Sequence, residues 1–118
     1  MKIKFSDTFG NDVTYVLNDS EAAHALERML PMTVTLDQFA SNEKGFYPNK
    51  KLNIFGAPLA PGGQEGLCYH RPWNQVILAY GGYSQYEGLY ELGMPIAGQG
   101  AVRNLKAVSY THLTLPTT

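Results

Sequence analysis

The residues of this chain that could do chemistry are one cysteine, three histidines and a few acidic side chains. Cys68 and His70 are two positions apart in an extended segment, so both face one side of a strand but stand about 7 Å apart, too far for a direct hydrogen bond. Glu87 and Glu91 have an even spacing that places two carboxylates on one strand face, yet acid–base work also needs a cleft that raises one pKa. These pairs predict a buried, inert thiol and a solvated strand face rather than a catalytic centre.

The histidines do not have the spacing of metal ligands. His24, His70 and His112 are far apart in the chain, and the single cysteine does not complete a zinc-binding pattern with any of them. His24 lies on the polar face of a predicted helix, where solvation is the simplest expectation. We therefore expect no metal site and no cofactor.

Aromatic side chains give a stronger signal than the ionisable groups. Tyr83 and Tyr86 occupy a glycine-rich loop, GGYSQYEG, and exposed rings on such loops are common in binding sites. With Arg71, Trp73 and Tyr47, these rings would suit a small aromatic or acidic ligand, or an extended peptide. In the competing interpretation Tyr80 and Tyr90 fill the core, while the tryptophan packs across a hairpin. Six rings lie within residues 69–90, less than one fifth of the chain: Tyr69, Trp73, Tyr80, Tyr83, Tyr86 and Tyr90.

The elements that must position these rings are short strands. Residues 66–70, 75–80 and 88–92 are rich in aromatic and branched side chains and are separated by Gly, Pro and Asn. Residues 76–80 are apolar on both faces, which indicates a strand covered on both sides, as in a small barrel. Residues 2–17 have the pattern of a hairpin around a turn at residues 9–12, and residues 32–36 form a further alternating strand.

One helix is predicted over residues 19–30. Asn18 can cap its first turn while Glu21 reaches back to the cap, as in a capping box. Pro31 cannot continue a helix and ends it. We expect this helix to cover one mouth of the barrel with an apolar stripe at helical spacing, which consists of Ala22, Leu26, Met29 and Leu30.

The remaining segments carry weaker signals. Residues 37–48 read as an irregular connection that packs aromatic rings onto the core, and residues 50–54 as a short strand. Residues 56–66 and 94–100 are rich in glycine or proline and are predicted as loops. Residues 101–105 have room for one helical turn.

Composition sets limits on the class of protein. The 118 residues fit one domain, predicted over residues 2–107, with a net charge of −1 and 44% hydrophobic residues. Without a run of Lys or Arg we expect no nucleic-acid partner. Without an apolar run of about 20 residues we expect no membrane span. A lone cysteine fits a reducing compartment, so the predicted location is cytoplasmic, with the oligomeric state left open.

Five ordered segments resemble the bacterial cyclophilin-like fold family of uncharacterised single-domain proteins. The resemblance covers residues 2–106 and implies a closed or nearly closed antiparallel β-barrel with a helix at its end. It implies no activity, because the family is not defined by one. The segments are NDSEAA at 18–23, LPMTVTL at 30–36, NEKGFYP at 42–48, CYHRPWNQVILAYG at 68–81 and LYELG at 89–93.

The C-terminal residues carry a different resemblance. Residues 108–117, VSYTHLTLPT, are similar to the in-frame translation of a transposase adapter used in sequencing libraries. We therefore predict that residues 108–118 are a non-native tail and set them aside, with His112, before reasoning about the fold. The family implies a final strand after residues 101–106, and a truncated C-terminus would leave one barrel edge unpaired. The alternative is a genuine strand, since Thr, Val and Tyr favour strands.

Two functional hypotheses remain. Tyr69-His70-Arg71 is similar to the Phe-His-Arg triplet of true cyclophilins, in which the guanidinium polarises a prolyl amide. In this chain Pro72-Trp73-Asn74 follows, which is a turn rather than a continuing strand. The leading hypothesis is therefore a non-catalytic mainly β barrel that binds a small molecule or peptide at one mouth. The alternative is a peptidyl-prolyl isomerase that uses Arg71. The ligand-binding candidates are Tyr47, Arg71, Trp73, Tyr83 and Tyr86.

Overall fold

Short strands make up most of the regular secondary structure of the computed structural model, which describes residues 1–39, 41–105 and 110–114, with the backbone alone for Gln99 and residues 110–113. One α-helix, α1 (Glu21–Arg28), and two 3-10 helices, Arg71–Trp73 and Gln99–Asn104, accompany the strands. The strands are β1 (Lys2–Ser6), β2 (Asp12–Leu17), β3 (Met32–Thr35), β4 (Asp37–Gln38), β5 (Glu43–Phe46), β6 (Gly66–His70), β7 (Gln75–Ala79), β8 (Leu89–Ala97) and β9 (Tyr110–Thr114).

The described strands form one antiparallel sheet in the order β3-β9-β1-β2-β8-β6-β7-β5-β4. β3 and β4 lie at opposite edges of this sheet, yet only Leu36 separates them in the chain. The sheet must therefore curl round until its two edges approach each other. Leu36 is fully buried at the junction. The prediction of a small antiparallel barrel is confirmed.

The core fills the inside of the curled sheet. In β1 and β2 every second residue is buried, as the two-residue period of a strand requires. Phe5 of β1 and Tyr15 of β2 meet edge to face with ring centroids 5.5 Å apart. Three α1 residues, Ala22, Ala23 and Leu26, belong to the same buried cluster, so the helix closes the barrel interior as expected.

The cap of α1 differs from the prediction. Ser20, not Asn18, is the N-cap, and its Oγ accepts a hydrogen bond from the backbone N of Ala23 at 3.2 Å. Asn18 instead accepts from the backbone N of Ser20 at 3.1 Å and donates to Glu91 O at 2.7 Å. Its amide bridges the helix to β8, a role set by tertiary contacts. Glu21 pairs with Arg28 and not with the cap.

Three segments differ from their predicted structure. Residues 37–48 contain the β4–β5 hairpin rather than an irregular connection, and residues 50–54 form no strand. Residues 94–97 continue β8 instead of forming a loop. Pro95 pairs with Tyr15 beside a register shift at which β8 contains one extra residue, Ile96, and proline is tolerated at such bulges. The helical turn predicted at residues 101–105 is present as part of the 3-10 helix Gln99–Asn104.

The C-terminal segment fills the position between β1 and β3. The β9 backbone pairs with both neighbours, with Phe5 opposite Leu113 and Val34 opposite Thr111. The edge expected to be unpaired after truncation is thus occupied by residues 110–114. Because ladder hydrogen bonds use the backbone, this pairing is compatible with either origin of the tail, and the adapter resemblance stays a prediction. Residues 106–109 and 115–118, including the predicted domain boundary at 107, lie outside the described residues.

Candidate functional site

The connection between β7 and β8 places the tyrosine loop on the outer face of the sheet. β7 and β8 lie on either side of β6, and both run antiparallel to it, so they are parallel to each other. The connecting residues 80–88 must therefore run back along the length of β6. The inner face of β6 is occupied by Leu67 and Tyr69 in the core, which leaves the outer face for the loop.

A second, smaller apolar cluster lies under this loop. Cys68, Ile77 and Leu89 point out of the barrel and are buried together with Ala60, and Tyr83 packs against them. Backbone hydrogen bonds between Gly63 and Tyr83, at 2.7 and 3.0 Å, join the loop that contains Gly63 to the loop that contains Tyr83; we call these the outer loops. These contacts hold the loops in place on the sheet, next to aromatic rings that are exposed to solvent.

Three aromatic rings meet at the end of β6. The ring centroid of His70 lies 4.9 Å from that of Trp73 and 5.7 Å from that of Tyr86. Trp73 is 64% exposed and Tyr86 is 43% exposed, while His70 is half-buried between them. We call His70, Trp73 and Tyr86 the ring cluster.

The β6–β7 turn fixes the position of the ring cluster. Trp73 ends a short 3-10 helix, and Asn74 follows it in the left-handed conformation with φ of 49°. The backbone N of Arg71 donates to Gly88 O at 2.9 Å, which ties this turn to the end of the tyrosine loop. The turn and the loop are thereby held in register.

An open cleft of about 500 Å³ adjoins the ring cluster. Among its lining residues Glu43 is the one charged side chain, and desolvation by burial raises the pKa of its carboxyl above the ordinary value. Asn42 closes one side through a hydrogen bond from its amide to Gly82 O. The lining consists of Asn42, Glu43, Gly63, Gln64, Gly82, Tyr83, Ser84 and Tyr86.

Burial favours the neutral forms of three ionisable groups on this face, His70, Cys68 and Tyr83. Burial lowers the pKa of His70, whose Nδ1 has no hydrogen-bond partner within the described part of the chain. Burial also raises the pKa of the Cys68 thiol to about 12, and that of Tyr83 to about 12. The Tyr83 hydroxyl lies beside the thiol, a weak contact through sulfur. Such a thiol is a poor nucleophile, since the thiolate is the reactive form.

The structure brings together four of the five predicted ligand-binding residues. Trp73 and Tyr86 share the ring cluster, Tyr83 lines the adjoining cleft, and Arg71 is exposed on the same turn as Trp73. The position is the outer face of the sheet near the β6–β7 turn, because the β7–β8 connection crosses that face. Tyr47 lies elsewhere: its ring packs on Phe39, 6.3 Å away between centroids.

Two residues of this site, His70 and Glu43, were not predicted as ligand-binding residues. His70 enters the sequence analysis as a possible partner of Cys68, as one of three histidines without metal-ligand spacing, and in the Tyr69-His70-Arg71 triplet. It is not predicted to contact Trp73, although its position in the strand next to the turn was a signal for that contact. Glu43 carries no local signal, since only the pairing of β5 with β7 brings it to the cleft. Among the described residues no group of three His, Cys, Asp or Glu side chains is placed to hold a metal ion. No helix in that same part of the chain has the length and apolar character to cross a membrane.

Comparison with known proteins agrees with this architecture. The model of the Cyclophilin-like family matches residues 7–115. The solution structure of the hypothetical protein AF2241 from Archaeoglobus fulgidus is similar, with a TM-score of 0.69 and 12% sequence identity over 97% of this chain and 93% of that one. At that identity the likeness concerns the fold alone. No curated protein matches this chain.

Proposed function

This chain belongs to the cyclophilin-like family, and we propose that it is a binding domain that holds an extended peptide against the outer face of its barrel. The observation that carries the proposal is the ring cluster. The ring centroid of His70 lies 4.9 Å from that of Trp73 and 5.7 Å from that of Tyr86, and Trp73 and Tyr86 are 64% and 43% exposed. Large aromatic side chains held rigidly at the surface are typical anchors for a binding partner.

A peptide fits this site better than a small molecule. Small-molecule sites are concave and bury most of the ligand surface. The cleft beside Tyr83 and Tyr86 is open to solvent along its length, and the ring cluster beside it is a platform. An extended chain can lie across both features and place successive side chains in each.

The chemistry of the face favours binding without catalysis. The Cys68 thiol is buried and its pKa is raised to about 12, so the reactive thiolate is scarce at neutral pH. The isomerase alternative needs the Arg71 guanidinium beside a groove that holds a proline ring. Arg71 is instead exposed on the 3-10 turn, so this alternative loses its main support.

The test is a titration of isotopically labelled protein with a pool of short peptides that contain proline and aromatic residues, followed by NMR. We expect chemical-shift changes at residues 70–74 and 82–88. The Trp73→Ala variant should weaken binding by about tenfold or more, as for an aromatic anchor worth more than about 1 kcal/mol. Phe55→Ala is the matched control, because Phe55 is 88% exposed and lies outside the site.

Two outcomes would overturn the proposal. One is a peptide pool that causes no shift in either segment. The other is equal binding by the Trp73→Ala and Phe55→Ala variants. A protease-coupled proline-isomerisation assay addresses the alternative separately, and we expect Arg71→Ala and the unaltered protein to give the same rate as the uncatalysed reaction.

A further inference from the structure

A groove at the C-terminal end of α1 lies apart from the ring cluster and has a different character. Its volume is about 490 Å³. Ala25 and Met29 of α1 and Met32 of β3 supply apolar lining, and all three are half-buried. Its remaining lining residues are Arg28, Asn49, Lys50 and Lys51.

This groove continues into a second one along β3. Met32 and Asn49 line both, and the second groove has a volume of about 330 Å³. Val34, Tyr47 and Pro48 add apolar surface to it. Tyr47 is the one predicted ligand-binding residue that lies away from the ring cluster. It lines this second groove and is 52% exposed. We call the two joined grooves the β3 trough.

Charge is distributed unevenly along the β3 trough. Arg28, Lys50 and Lys51 lie at one end and are three of the nine Lys and Arg residues in a chain whose net charge is −1. The lining residues of that end include no carboxylate. The Arg28 guanidinium pairs with Glu21, whereas neither lysine forms an ion pair with a described residue. This end of the trough therefore carries an excess of positive charge and lies next to an apolar surface.

We propose that the β3 trough binds a single-chain amphipathic carboxylate, such as a medium-chain fatty acid. Its anionic head lies between Lys50, Lys51 and Arg28. Its hydrocarbon chain lies over Met29, Met32 and Tyr47. The guanidinium of Arg28 already forms an ion pair with one carboxylate, that of Glu21. Removing methylenes from water is favourable, whereas exposed ion pairs contribute little, so a chain of several carbons supplies most of the affinity and the cations supply orientation.

The proposal is independent of the peptide site, since the two share no residue. It is tested by calorimetric titration with decanoate below its micelle-forming concentration, alongside decanol, acetate and decyl phosphate. We expect saturable binding of decanoate, weaker binding of decanol and none of acetate. A preference for decyl phosphate over decanoate would overturn the assignment of a carboxylate, and equal binding of decanol would overturn the role of the cations.

Variants distinguish the contribution of the ligand's anionic head from that of its hydrocarbon chain. The double change Lys50→Gln and Lys51→Gln removes two exposed charges without disturbing the core, and we expect it to weaken decanoate binding about three- to tenfold while leaving decanol unchanged. Lys2→Gln is the control, because Lys2 is an exposed lysine outside the trough. Tyr47→Ser should weaken both ligands. An identical affinity in Lys2→Gln and the double variant would overturn the proposal.

Discussion

The buried hydroxyl of Tyr69 donates a hydrogen bond to Asn74 Oδ1 at 2.5 Å. The same hydroxyl accepts from the backbone N of Leu52 at 3.2 Å, and the Asn74 amide donates to Pro48 O at 3.1 Å. Tyr69 thus connects the barrel interior to the turn that carries Trp73. Asn74 adopts a left-handed φ of 49°, a conformation that asparagine tolerates better than most other residues, and these hydrogen bonds hold its side chain.

Tyr69→Phe should destabilise the protein by about 1–3 kcal/mol, because it leaves the buried backbone N–H of Leu52 and the side-chain Oδ1 of Asn74 without their hydrogen-bond partner. The free energy of unfolding from a urea titration measures this. Tyr47→Phe serves as control, since Tyr47 is exposed and its loss of a hydroxyl should change stability little. If both variants unfold at the same urea concentration, Tyr69 does not hold the turn.

Gly45→Ala should destabilise the β5–β7 pairing. A Cβ at this position would lie 2.7 Å from Val76 O and 3.1 Å from the Phe39 ring, and the backbone oxygen cannot move without breaking the ladder. Overpacking of this kind costs about 1–3 kcal/mol. Gly100→Ala is the matched control, since nothing lies within 4 Å of its added Cβ. Thermal unfolding followed by circular dichroism distinguishes the two, and an unchanged midpoint for Gly45→Ala would contradict the described register.

Stability should fall in mild acid through His70. Burial lowers its pKa below the ordinary 6.5, so the unfolded chain binds the proton more readily than the folded chain. The stabilisation is fully present above pH 6.5 and declines as the pH falls through the interval down to the folded pKa. His70→Phe keeps a ring against Trp73 and removes the titration.

The pH dependence is measured as the unfolding midpoint across this range for both proteins. We expect the two curves to separate below pH 6.5, with the unaltered protein losing more stability than His70→Phe. Parallel curves, or an imidazole that titrates by NMR at its ordinary pKa, would show that His70 is not desolvated.

Cys68 should react very slowly with thiol reagents while the protein is folded. Its side chain is 1% exposed, and burial raises its pKa to about 12, so little thiolate exists at neutral pH. We expect a native rate more than about a hundredfold below that of the same protein in denaturant, as observed with a chromogenic disulfide. Equal rates in the two conditions would mean that Tyr83 and the outer loops do not cover the thiol.

Local sequence patterns were sufficient for the elements that carry strong hydrophobic periodicity. β6 is observed over Gly66–His70 as predicted, β7 over Gln75–Ala79 ends one residue earlier, and the β1–β2 hairpin is confirmed. The helix was recognised but its cap was misplaced by two residues, because Asn18 satisfies a tertiary partner, Glu91 O, rather than the helix. The β4–β5 hairpin was missed, since Gly45 and its polar neighbours give no alternating pattern.

The sequence by itself determined that this chain is a small antiparallel barrel with a helix against its core, and it singled out the rings of Trp73, Tyr83 and Tyr86 as candidate ligand contacts. Tertiary structure alone decided which face those rings occupy. Strand alternation specifies that residues point to opposite sides but not which neighbours a strand selects. Because β7 and β8 both flank β6, the loop between them crosses the outer face, and that long-range choice of partners brings His70 and Glu43 to the site.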